Sequence, residues 1–229
     1  MATISHLDKS VFNFLNALAG NNNRDWFAKN KATYITANEH FKALAEEINA
    51  GMQKQDKIEK MKLFRIYRDV RFSKNKEPYK NSFSCGFSRE TKALRGGYYL
   101  HLQPGGNSFV GGGFWQPEAA DLKRIRDEIT ADAAPLRKII NSASFKNHFG
   151  ELGGEQLKTA PKGFPKDHPD IDLLRYKSFV VSKQFTDKEV ETAGFAQVVL
   201  KHFMATRTFF DYMSEVLTTD VNGVSLLEK

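Results

Sequence analysis

The sequence predicts an α+β fold, a central antiparallel sheet flanked by N-terminal, middle and C-terminal helices. Three observations carry that expectation. Apolar residues recur at helical spacing before about residue 51 and again beyond Pro117. Between these stretches they alternate with polar residues at a period of two. The alternating runs are joined by short links, which favours antiparallel neighbours.

Val11, Leu15 and Leu18 mark one face of a helix over residues 8–19, ended by Gly20. Asn21-Asn22-Asn23 is a turn, and Asn23 is the expected cap of one long helix with Asp25 in its first turn. Phe27, Tyr34, Phe41 and Ile48 repeat every seven residues along that helix, Ala37 and Leu44 fill the same face, and Gly51 closes it. A strand is expected from Leu63, with Phe64, Ile66, Val70 and Phe72 on one face and Arg65, Tyr67, Asp69 and Arg71 on the other. Phe83, Cys85 and Phe87 then alternate with Ser82, Ser84, Gly86 and Ser88, and Tyr98, Leu100 and Leu102 with Tyr99, His101 and Gln103. Pro104-Gly105-Gly106-Asn107 turns the chain, and Ser108 to Trp115 returns as a partner strand. Pro117 and Glu118 open a helix buried through Leu122, Ile125 and Ile129, and a second begins near Pro135. Residues 150–170 form a Gly- and Pro-rich loop, Ser178 to Phe185 is another strand, and a long C-terminal helix runs from Val190 through Val198, Phe203, Phe210 and Met213 to Leu217. A single domain over residues 1–229 is expected, with 219–229 as a frayed tail.

The chain has 229 residues, 41% hydrophobic and 27% charged. A chain of this size can bury about 70% of its unfolded surface without staples. Its composition excludes disorder throughout. No apolar run approaches the ~20 residues of a membrane-spanning helix, and residues 1–9 lack the basic-then-apolar pattern of a leader. The lone Cys85 excludes an intramolecular disulfide or a multi-cysteine zinc site, and its alternation with Phe83 and Phe87 makes it a small buried hydrophobe. A cytoplasmic location is the expectation.

The net charge is +7, and +6 of it lies in residues 60–80, which hold eight basic and two acidic side chains. So local an excess points to a local anionic partner. Arg68 is the informative residue, because strand parity sets it on the apolar face with Phe64, Ile66, Val70 and Phe72. A guanidinium there needs a carboxylate, backbone carbonyls or an anionic ligand. The candidate ligand-binding set is Arg65, Arg68, Arg71, Lys74, Tyr79, Lys80, His101 and Trp115. Arginine forks suit phosphate or carboxylate, while Trp115 and the Tyr98/Tyr99 pair offer faces for stacking. The glycines 111–113 mark a bulge, a close helix crossing or a ligand's approach to the backbone. Asp167-His168-Pro169-Asp170, with Asp172 behind, is read as the positive end of a short helix rather than an acid/base or metal cluster. No metal site, cofactor or catalytic residue is expected from any spacing in the chain. The leading functional expectation is binding of, or catalysis on, a small phosphate- or carboxylate-bearing compound. Nucleic-acid binding, or a ligand-free scaffold docking an acidic protein, are the alternatives.

The stretch from Leu63 to Lys74, continuing to Pro78-Tyr79-Lys80, resembles the hallmark of a bacterial and fungal family, domain of unknown function 2461. Asp25-Trp26-Phe27 with Asn30-Lys31, Gly111-Gly112-Gly113, and Ala160-Pro161-Lys162-Gly163-Phe164 leading to Asp167-His168-Pro169 resemble the same family. The likeness runs from about Phe12 to about Phe210. It implies one α+β domain and carries over no active-site residue. Relatives often have Asp where this chain has Asn75, so no carboxylate-dependent role is expected there.

Overall fold

The computed structural model describes residues 6–71, 74–90, 93–220 and 222–227; Phe72, expected on the inward strand face, lies outside them. Helices α1 (Lys9–Gly20), α2 (Arg24–Lys29) and α3 (Lys31–Met52) precede β1 (Ile58–Leu63), β2 (Phe83–Arg89), β3 (Gly97–Leu102) and β4 (Ser108–Phe114). There follow α4 (Ala119–Ala131), α5 (Ala134–Ile140), α6 (Ala143–Phe149) and α7 (Ile171–Leu174), then β5 (Phe179–Phe185), α8 (Asp187–Val190), α9 (Phe195–Ala205) and α10 (Arg207–Thr218). The five strands make one antiparallel sheet in chain order, β1-β2-β3-β4-β5. The class is α+β, as the alternation predicts. Among the described residues no helix is long and apolar enough to cross a membrane.

The N-terminal caps follow the sequence. The Asp8 carboxylate accepts from the Ser10 amide at 2.8 Å, and the Asn23 side chain accepts from the Trp26 amide at 2.9 Å. The long helix expected after Asn23 is instead two. It breaks at Asn30, where φ −105° and ψ 18° leave the helical range and the side-chain amide donates back to the Trp26 carbonyl. The long C-terminal helix is likewise three, interrupted around Gly194 at φ +88° and at Thr206, whose hydroxyl donates to the Phe203 carbonyl. The segment expected to fray is tied down among its described residues. Thr219 bridges Ser225, the Leu226 amide donates to the Thr218 carbonyl, and the Arg124 guanidinium donates to the carbonyls of Thr219 and Asp220.

The chain forms two compact units. The first comprises Met1–Phe87, Tyr99–Val110 and Gln184–Lys201. Phe14 packs there against Trp26, Phe27 and Tyr34, and Phe41 stacks on Phe83 at 5.3 Å. The turn after β3 is fixed by Asp187, whose two carboxylate oxygens accept from the Gly105 and Gly106 amides at 2.8 and 2.9 Å.

The second unit comprises Ser88–Tyr98, Gly111–Lys183 and His202–Lys229. Tyr98 sits against Phe203 and Phe210, at 5.0 and 4.9 Å between ring centroids. Arg89 is 0% exposed beside them; it meets Asp211 at 2.5 Å, donates to the Arg95 carbonyl and lies over the Phe210 ring. The glycine run serves close packing. A Cβ on Gly112 would lie 2.9 Å from the Phe210 ring of α10, and one on Gly113, at φ +143°, only 2.2 Å from the Phe179 carbonyl oxygen of β5. Gly113→Ala therefore combines a forbidden backbone region with a backbone clash, and should cost about 3 kcal/mol or more. Gly20→Ala, with nothing near its Cβ, should stay within about 0.5 kcal/mol. Urea denaturation of both variants checks the contrast; equal midpoints would contradict it.

Candidate functional site

The basic segment is not the strand its alternation predicts. β1 ends at Leu63, and the described residues 64–71 and 74–82 form an irregular hairpin held by single bonds rather than a ladder. The Phe64 amide donates to the Ser84 carbonyl, Lys80 to Ile66 and Arg68 to Pro78, at 2.8–2.9 Å, with one bridge between Tyr67 and Tyr79. The cause is local. Pro78 has no amide to give a partner strand, and the backbone of Tyr79 is taken by the Asn22 side chain. That carboxamide accepts from the Tyr79 amide at 3.1 Å and donates to the Tyr79 carbonyl at 3.0 Å.

Alternation nevertheless survives in the side chains. Ile66 is buried, Arg68 and Val70 are half-buried, and Arg65, Tyr67, Asp69 and Arg71 are exposed. Arg68 thus points inward as parity requires, but its side chain keeps 26% exposure. One Nη donates to the Tyr79 carbonyl at 3.3 Å, Glu77 stands 3.7 Å away, and the buried Nε has no hydrogen-bond partner.

The sequence-predicted residues separate into two groups. Three do not converge, and a fourth lies in the other unit. Arg71 makes a fork on Asp69 at 3.0 and 2.7 Å, and those hydrogen bonds hold the Asp69 carboxyl below its usual range. Lys74 is exposed at the hairpin tip. Tyr79, expected to face a ligand, is 5% exposed and stacked on Phe27 at 4.0 Å, so it is core. Trp115 is 72% exposed but belongs to the second unit, just beyond β4.

Arg65, Arg68, Lys80 and His101 do converge. The Lys80 ammonium donates to the Arg65 carbonyl at 3.1 Å and lies 5.9 Å from the Phe64 ring, over which Lys62 also reaches at 5.2 Å. Burial lowers the Lys80 pKa, and the charges of Arg65 and Arg68 lower it further. Among the described residues neither Arg65 nor Lys80 makes an ion pair. Phe64 meets Tyr99 edge-on at 5.9 Å, Tyr99 stacks on His101 at 6.2 Å, and His101 on Phe109 at 4.9 Å. Of this half-buried aromatic row on β3 and β4, next to the cations, sequence reasoning names Tyr99 and His101 but not Phe109 or the stacking of the three. Its signal is the parity that pairs Tyr99 with His101. Burial pushes the His101 pKa below its usual 6.5, a nearby Lys80 adds to that, and the 3.1 Å bond to Gln103 partly opposes it.

The remaining candidates are structural. Arg137 holds Asp170 at 2.6 Å and Asp172 at 2.7 Å, and His168 accepts from the Asp170 amide. Burial pushes the Asp172 carboxyl up, but Arg137 outweighs it and leaves it below the usual range. Among the described residues no three His, Cys, Asp or Glu side chains gather as a metal site. Cys85 is fully buried, and burial raises its pKa, so the thiol stays protonated.

Asn22→Ala leaves the Tyr79 amide without a partner and its carbonyl with only the longer Arg68 bond, and should cost about 2 kcal/mol. Asn22→Asp, which keeps the acceptor alone, should recover part of that in the same urea titration. An Asn22→Ala protein of unchanged midpoint would contradict the clamp. For His101 the folded state binds its proton less readily than the unfolded chain. Its contribution to stability is therefore full above pH 6.5 and is lost as pH falls from there through the lower folded pKa. NMR titration of the ring should find that lower value, and His101→Gln should remove this segment of the stability–pH curve. No curated protein and no solved structure matches the chain. The family model described as "Conserved hypothetical protein (DUF2461)" matches residues 10–212, and the chain belongs to that family.

Proposed function

We propose that the chain binds a small phosphate- or carboxylate-bearing ligand where Arg65, Arg68 and Lys80 converge beside Phe64. One observation carries this reading: a half-buried ammonium is set against two guanidinium groups, and among the described residues neither Arg65 nor Lys80 meets a carboxylate within ion-pair reach. Gathering like charges disfavours each of them, and an anion seated between them reverses that cost. Arg65 and Arg68 supply planar forks suited to phosphate or carboxylate oxygens, Lys80 a compact third charge. Arg71 is not part of the site, because Asp69 already occupies its fork.

Thermal shift against a panel of phosphorylated and carboxylated metabolites tests the proposal. At least one compound should raise the melting temperature, and Arg65→Ala and Lys80→Ala should each weaken it by about tenfold or more. Stabilisation that persists in the double variant, or none from any compound, overturns the reading.

The aromatic row favours a second reading, single-stranded nucleic acid, with bases on Tyr99, His101 and Phe109 and phosphates on the cations. Three neutralised phosphates would give log K against log salt a slope of about −2. A slope near zero sinks it.

A further inference from the structure

A cavity of about 600 Å³ lies wholly within the second unit. One wall is the flank of α4, with Leu122, Lys123, Arg126 and Asp127; the other is the loop from Lys162 to Pro165, which overlaps the Ala160–Phe164 stretch that the proposed function leaves unused. Arg126 is half-buried and clamped. Its Nε donates to the Leu174 carbonyl at 2.9 Å and one Nη to the Tyr176 carbonyl at 3.1 Å. The other Nη makes no hydrogen bond among the described residues, and no carboxylate pairs with the guanidinium. Burial lowers the Arg126 pKa, as expected of a cation that has given up water without gaining an anion.

The other charges on the walls sort simply. Lys123 and Asp127 neutralise one another at 2.5 Å, one turn apart on α4. Lys162 on the facing loop makes no ion pair among the described residues. Two unmatched cations therefore remain, one rigid and one on an exposed loop. The rest of the lining is largely apolar, from Leu122, Phe164 and Pro165. A volume of this order suits a small molecule. Its chemistry suits an anion of single charge at one end and hydrocarbon at the other, since largely apolar walls disfavour a dianion such as phosphate.

We propose that this cavity binds a monocarboxylate with an apolar body, its head on the unbonded Arg126 nitrogen and Lys162 and its body against Leu122 and Phe164. The site is independent of the one on the basic hairpin.

The test uses the full chain with 4-phenylbutyrate as probe, read by amide NMR shifts and calorimetry. Its neutral amide and inorganic phosphate serve as comparisons. Phenylbutyrate should shift Leu122 and Phe164 saturably, and Lys162→Glu should weaken binding by about tenfold. Thr130→Trp, which fills the cavity from an exposed position on α4, should abolish binding. The Arg65→Ala/Lys80→Ala protein should bind phenylbutyrate unchanged, which separates this site from the hairpin site. Arg126→Lys keeps the charge and loses the clamp; if that variant does not fold, the Lys162 and Thr130 variants still decide. Equal binding of the amide, tighter binding of phosphate, no saturable shift, or indifference to both Lys162→Glu and Thr130→Trp would each overturn the proposal.

Discussion

A side-chain amide sets the geometry of the basic hairpin. Buried backbone that leaves a sheet ladder must place each N–H and C=O elsewhere. Asn22 presents one donor and one acceptor to Tyr79 and so reproduces, from a helix–helix turn 57 positions away, the two-point pairing of a neighbouring strand. The Phe27 ring stacks on the same residue. Once Tyr79 is held, its neighbours are too. The Lys80 amide bonds to Ile66 and the Arg68 amide to Pro78, and the Lys80 ammonium reaches the Arg65 carbonyl and the Phe64 ring. The cluster of charge is therefore a consequence of helix α2 and its preceding turn as much as of the basic segment itself.

This dependence explains which parts of the molecule can be read from residues alone. β2 and β3 follow their alternation because each has one side buried and one less so, and the period reports that difference directly. The end of β1 does not follow, since it is decided by Pro78 and by a contact distant in sequence. The helix breaks at Asn30 and Thr206 are equally silent in the hydrophobic period. The apolar face of α2 and α3 continues across Asn30 through Phe27, Phe41 and Ile48, so the repeat sees one helix where hydrogen bonds make two. Arg89 lies between these cases. It continues the parity of Phe83, Cys85 and Phe87, which marks it as inward just as parity marks Arg68, yet it stands outside the charge cluster and density of charge does not single it out.

Of the candidate site, parity conveys Arg68's direction and His101's face, and composition conveys the local excess. Neither conveys how that excess is divided. Arg71 is matched two residues away by Asp69, a pairing inside an exposed hairpin that contributes little to stability. Lys74 follows the hairpin tip. Tyr79 is drawn into the core by the stack on Phe27, which no alternation of the basic segment encodes.

Arginines elsewhere show why a count of cations is a poor guide to ligands. In the second unit Arg124 donates to the carbonyls of Thr219 and Asp220, Arg126 to those of Leu174 and Tyr176, and Arg175 to that of Leu157. Each takes carbonyls at a helix end or in an irregular segment. A guanidinium carries five donors, so satisfying one loop does not exhaust it. The useful quantity is what remains after the backbone's demand is met and after any carboxylate has taken its share. By that measure Arg71 and Arg137 have little left, since carboxylates hold them. Arg124 also has an acidic partner in Glu128. Arg126 retains an unbonded edge beside a cavity, and Arg65 retains its whole head beside Lys80. Lys80 and Arg126 are held by backbone carbonyls and meet no carboxylate among the described residues, so an anion arriving there would find a cation already positioned.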